Sequence, residues 1–200
     1  MVLKHVWGLF FDPHREWQVI RDERCSIGKC YASNVLILAA IPPIFAYFGS
    51  TLAGWRIGTG EAIKLTHDSA LQIAFAFYLA LMATVFIMGK AIHWMAQTFD
   101  AKPELAKCVV LASYIATPLF VSGIAAIYPV LWINMLIGLI AVAYTVYLLY
   151  LGIPIVMQIP KEQGFIFSTS ILTVGLIGLV SILVITVLLW SSGIAPAYTN

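Results

Sequence analysis

Five long stretches of this chain contain no Asp, Glu, Lys or Arg: residues 31–49, 70–89, 108–128, 131–153 and 165–192. They run to 19, 20, 21, 23 and 28 residues. Crossing the roughly 30 Å hydrocarbon core of a bilayer as a helix takes about 20 apolar residues. A charge held at mid-bilayer costs about 3 kcal/mol or more. The gaps cover 111 of 200 positions, and none of the 20 charged residues falls within them. They read as five transmembrane helices, which makes the chain an all-α polytopic membrane protein. Strands of a membrane barrel would alternate in polarity over about ten residues, and these segments are continuously apolar. Five such helices buried in a soluble protein would need far more polar sequence around them. The chain is 62% hydrophobic and 10% charged, against about 45–50% and about 25% in soluble domains. That excludes a soluble enzyme, a disordered chain and a DNA-binding module. The net charge of +2 points to no nucleic acid.

The first apolar run follows a charged stretch and has no small-residue cleavage pattern, so it is expected to remain as a span. Orientation follows from the cations. Lys4, Arg15, Arg21, Arg24 and Lys29 precede the first span; Lys90, Lys102 and Lys107 lie between the second and third; Lys161 lies between the fourth and fifth. Only Arg56 and Lys64 occupy the opposite side. Loops rich in Lys and Arg stay in the cytoplasm. This places the N-terminus in the cytoplasm and, with five spans, the C-terminus on the opposite face of the membrane.

Residues 1–30 read as an amphipathic cytoplasmic segment, followed by a membrane domain over 31–200. Asp12 before Pro13 is a helix start: the carboxylate caps and proline suits the first helical position. A helix from Pro13 would put Trp17 and Ile20 on one face. The segment is expected on the cytoplasmic leaflet, as a surface anchor in preference to a docking site. Pro42 and Pro43 fall within the first span and should break it. Pro118 makes a weaker case in the third. Broken helices sometimes build substrate sites, although a kink more often serves packing. Small residues recur at helical spacing at Ala112 and Ala116, Gly138 and Ala141, and Gly175, Gly178 and Ser181, as close helix packing requires. Spans three and four, joined only by residues 128–130, must form a tight hairpin. The first loop, with Gly54, Gly58, Gly60 and Trp55, reads as a short outer loop; its His67–Asp68 pair has no evident third partner.

Much chemistry is missing. No phosphate-cradling or dinucleotide glycine pattern is present. Cys25 and Cys30, with Cys108 apart from them, read as structural thiols, so no metal or disulfide framework is expected. Lys90, His93 and Gln97 share a helical face, and His93 reads as an interfacial histidine in preference to a proton shuttle. A serine protease would need Ser113 or Ser122 to face His93. No carboxylate lies in any span, which argues against ion-coupled transport. No cofactor is implied.

Phe11-Asp12-Pro13 and Trp17 ahead of five spans, with Tyr147-Leu148-Leu149-Tyr150-Leu151-Gly152-Ile153-Pro154 closing the fourth, resemble the Yip1 domain family in its bacterial branch. The resemblance covers nearly the whole chain. It implies five spans and a cytosolic N-terminus. Eukaryotic relatives are associated with Rab GTPases and vesicle traffic; the long N-terminal region and acidic motifs of those relatives are not found here. Tyr144, Tyr147 and Tyr150 line the fourth span, and Gly152 and Pro154 read as its stop signal. With Asp12, Pro13 and Trp17 they are the candidate contacts to lipid or a protein partner, although an aromatic belt would explain the tyrosines. The function expected is a non-enzymatic membrane scaffold or adaptor that binds membrane lipids, a membrane-protein partner or a second copy of itself. The alternative is a small transporter or channel for a neutral or lipidic solute. The orientation is testable: a reporter fused after Asn200 should read out as periplasmic, and a cytoplasmic readout overturns it.

Overall fold

The computed structural model describes residues 2–23, 26, 28, 31–55, 62–99, 101–191 and 197–199. Cys25, Cys30, Gly58 and Gly60 lie outside the described residues. Two short helices, α1 (Val2–Phe11) and α2 (Pro13–Asp22), precede five membrane-length elements. These are Leu36–Ala53, His67–Ala96, Leu105–Ile127, Leu131–Met157 and Lys161–Leu188, with mean hydropathies from 1.7 to 2.8. The protein is thus an all-α, five-span bundle. Its helices run past several of the charge gaps because a helix need not stop where the hydrocarbon does. The second span, for example, starts at the Thr66 cap, whose hydroxyl accepts from Ser69 N–H.

The third span is the centre of the bundle. Most of its residues are buried, including Cys108, Leu111, Ser113, Tyr114 and Thr117. Spans two and five keep nearly all of theirs on the outside. Below the third span lie Leu148 and Ile153 of the fourth and Phe167 and Ile171 of the fifth, all fully buried.

Spans one and three are both interrupted. In the first, a wide turn at Tyr31–Val35 and a short helix at Leu36–Leu38 give way at residues 39–40, and a new helix, Ile41–Phe48, begins with Pro42 and Pro43 in its first turn. The prolines have no N–H to offer the carbonyls a turn earlier. The third span breaks at Ala116, with Pro118 opening the next helix at Thr117–Ser122. Tyr78 of the second span reaches into the disturbed stretch, its Oη donating to Leu36 O at 3.1 Å, and Tyr31 Oη reaches out of it to Met82 O. In lipid such groups have no water to turn to.

The two broken helices meet at glycines. A Cβ on Gly123 would lie 2.6 Å from Pro42, and one on Gly49 would lie 1.9 Å from the Ala126 carbonyl oxygen. Spans three and four turn at residues 128–130, where Asn134 Nδ2 donates to Tyr128 O at 2.8 Å and to Val130 O at 3.1 Å.

The fourth helix does not stop at Gly152 and Pro154, as its sequence suggested. It continues to Met157 with Pro154 inside it, and ends at Gln158, which adopts a left-handed φ of 55°. Pro154 packs on Gly164 of the fifth helix, where a Cβ would meet the proline ring at 2.8 Å. At the far end, β1 (Lys64–Leu65) pairs antiparallel with β2 (Tyr198–Thr199), tying the C-terminal residues to the loop after the first span. Gly49→Ala should therefore lower stability by about 1–3 kcal/mol through overpacking. Gly138→Ala, with nothing near its Cβ, should change little; thermal unfolding in detergent compares the two.

Candidate functional site

The residues at the N-terminal hairpin and the fourth span assemble into one site. Asp12 ends α1 and caps α2, its Oδ1 accepting from Arg15 N–H at 3.3 Å, and Pro13 opens α2. The two helices fold back on each other. Gly8 permits this: a Cβ there would overlap the Glu16 carboxylate.

The hairpin packs against the fourth span. Its tip reaches Tyr144, the midpoint of the 27-residue fourth span. Tyr144 Oη donates to Leu9 O at 2.7 Å, and its ring stacks on Phe10 at 5.4 Å. The last carbonyls of any helix lack intrahelical partners. Here Asp12 N–H bonds Gly8 O at 2.8 Å and Tyr144 bonds Leu9 O. These two carbonyls of the turn are therefore satisfied within the protein. Nearer the end of the fourth span, Trp17 is fully buried over Gly152, where a Cβ would sit 2.8 Å from the indole. Trp17 thus finds its partner within the chain, and Gly152 serves as the notch that receives it. Trp7 and Phe11 pack on each other at 4.7 Å and stay exposed on the hairpin's outer side.

The other tyrosines are not gathered there. Tyr147 touches Tyr144 at 5.6 Å but remains exposed. Tyr150 faces the fifth span, with its hydroxyl 2.8 Å from Thr169 Oγ1 and its ring 5.3 Å from Phe165. Pro42, Pro43 and Pro118 belong to the crossing of spans one and three. His93 Nδ1 donates to Pro103 O at 3.1 Å and ties the second span to the start of the third. Ser113 Oγ donates to Val110 O and accepts from Asn34 Nδ2, while Ser122 Oγ donates to Leu119 O. Neither serine hydroxyl is paired with His93.

What the sequence did not disclose is an ionisable cluster within the hairpin. His5 is buried, with Nδ1 2.5 Å from Glu16 Oε1 and Nε2 3.3 Å from Glu23 Oε1. The Tyr114 ring of the third span stands edge-on to the imidazole at 5.7 Å. No carboxylate lies in the five charge-free stretches, yet the hairpin holds Glu16 largely buried beside His5. The available signal was the Asp12-Pro13 turn between two ten-residue helices, which makes His5 and Glu16 neighbours. Above Glu23 opens a polar vestibule of about 650 Å³, lined by Arg21, Asp22, Ser26, Glu104 and Lys107. Arg21 bonds Asp22 at 2.7 Å and holds its carboxyl below the usual range. Among the described residues no group of three or more His, Cys, Asp or Glu could hold a metal ion.

The Yip1 domain family model matches residues 7–182, a region that begins within α1 and takes in α2 and most of the bundle. The chain is 47% identical over 191 residues to the inner membrane protein YohC of Escherichia coli K12, covering 96% of this chain and 98% of that one. It is equally similar to YohC of E. coli O6:H1 (strain CFT073). No solved structure matches it. Tyr144→Phe should leave the Leu9 carbonyl without its partner and cost about 1–2 kcal/mol. Limited proteolysis should then cut the hairpin before the bundle, and an unchanged cleavage order would count against the cap.

Proposed function

Because the chain belongs to the Yip1 domain family, we propose that it is a non-enzymatic scaffold of the bacterial inner membrane. Its N-terminus is in the cytoplasm, and its lipid-facing helices hold membrane proteins or lipids. The observation that carries this reading is the uneven burial of the spans. The third is enclosed by the others, whereas the second and fifth are barely covered by their own chain. Phe75 and Leu79 on the second span and Leu176, Leu183 and Val187 on the fifth are exposed. A bundle that needed only to be stable could bury such helices more fully. Two long helices offered sideways suit contact with other apolar surfaces in the bilayer, where close van der Waals packing drives association.

The second reading, a passage for a neutral or lipidic solute, draws on one feature. A mostly apolar cleft of about 380 Å³ opens where the broken helices cross, between Pro42, Phe77, Leu119, Gly123, Asn134 and Gly138. Photo-crosslinking residues at Leu79 and Leu183, activated in native membranes, separate the two. A scaffold should give discrete protein adducts at both positions, of a partner or of a second copy. Adducts with lipid alone would remove the protein-binding part of this reading, and no discrete adduct of either kind would overturn the scaffold and leave the cleft as the functional feature.

A further inference from the structure

The tip of the hairpin sits far along the bundle. Tyr144, which bonds Leu9 O and stacks on Phe10, belongs to the fourth span, and the exposed Trp132 near the start of that span marks an interface. At about 1.5 Å per residue, Tyr144 lies about 20 Å beyond Leu131 along the helix. A hydrocarbon layer of about 30 Å that starts at Leu131 therefore extends about 10 Å past Tyr144. A layer that starts later extends further. The third span gives a second mark. The Tyr114 ring, which meets His5 at 5.7 Å, belongs to a residue about two and a half turns inside Leu105.

What the hairpin exposes alongside the bundle is sorted by helix. On α1 the aromatics Trp7, Phe10 and Phe11 are exposed. On α2 the exposed residues are mostly polar: His14, Arg15, Gln18 and Asp22, with Val19 among them. His14, Gln18 and Asp22 recur every four residues and so form one row. Gln18 Nε2 lies 3.4 Å from His14 Nδ1, and Arg21 bonds Asp22 at the other end of the row. Arg21 and Asp22 also line the polar vestibule, so the row runs from that opening to the tip.

We propose that the hairpin is inserted in the leaflet on the side where the fourth span ends. The aromatic row of α1 lies against acyl chains, and the polar row of α2 draws phospholipid headgroups and water inward, so that the leaflet is thinned beside it. Two arguments carry this. The aromatic row continues the outer surface of the fourth span, because Phe10 stacks on Tyr144 and that ring is 5.6 Å from the exposed Tyr147. Among acyl chains these rings take their apolar surface out of water. The polar row has the opposite need. Side chains such as His14 and Arg15 are costly in hydrocarbon, and a bilayer relieves the cost by thinning until headgroups and water reach them. The inference goes beyond the scaffold reading, which rests on spans two and five, and does not depend on it.

Spin labels attached to a genetically encoded keto amino acid test it, placed singly at Trp7, Phe11, His14 and Asp22 in the full chain in phospholipid vesicles. Collisions with oxygen, which concentrates in hydrocarbon, are compared with collisions with a water-soluble nickel chelate. These side chains are exposed, so the labelled chains should fold, and unchanged thermal unfolding checks it. A label at Leu139, exposed on the fourth span, gives the reading for lipid. Labels at Trp7 and Phe11 should read like Leu139, and the label at His14 like Asp22. The ratio of oxygen to nickel collisions should fall at least about tenfold from Phe11 to His14, since a polar chelate partitions poorly into hydrocarbon. Nickel access at Trp7 and Phe11 equal to that at Asp22 overturns the insertion. Access of neither reagent to Phe11, as under a protein partner or a second copy, overturns lipid as the occupant. A label at His14 as shielded from nickel as one at Phe11 overturns the thinning.

Discussion

A backbone amide or carbonyl in lipid has no water to bond, so every departure from regular helix must be met from within the protein. That constraint organises this fold. The chain departs from regular helix at the hairpin tip, in the first span near Pro42 and in the third before Pro118. Each place is served by neighbouring groups: the Asp12 carboxylate and Tyr144 hydroxyl at the tip, Tyr78 at Leu36, and Thr117 Oγ1 donating to Ser113 O at 3.4 Å before Pro118. The tyrosines therefore do more than mark an interface. Their rings pack in apolar surroundings while their hydroxyls close open backbone groups.

The second requirement is room. Irregular helices can lie close only where side chains are absent, and the glycines stand at those places: Gly49 and Gly123 where spans one and three cross, Gly152 under Trp17, Gly8 beside Glu16 and Gly164 against Pro154. Gly138 and Gly178 face open space. Spacing in the sequence singled out Gly138 and Gly178 for close packing, and none of the five glycines that form notches. Only the positions of neighbours tell a notch from an unused gap.

Together these features give the molecule two unlike parts. The third span, the hairpin and the buried faces of spans one and four form a closed interior that includes one ionisable cluster. Spans two and five pack on that interior along one side and leave many apolar side chains on the outside.

The number of spans, their helical nature and their approximate limits were legible in the sequence, because charge avoidance is a property of each segment alone. The Asp12-Pro13 helix start and the breaks at Pro42, Pro43 and Pro118 were legible for the same reason: capping and the missing proline N–H are local effects. The persistence of the fourth helix through Pro154 was not, and the proline packs on Gly164 of another helix. Nor was the docking of the hairpin on the fourth span. Its amphipathic pattern does not show that a tyrosine 135 positions away caps it, or that a glycine makes room for its tryptophan. His5, Glu16 and Glu23 became a cluster only through that folding back. Segment polarity determined what must enter the membrane, and tertiary packing decided which polar groups could follow it there, because their cost depends on partners that only the folded chain supplies.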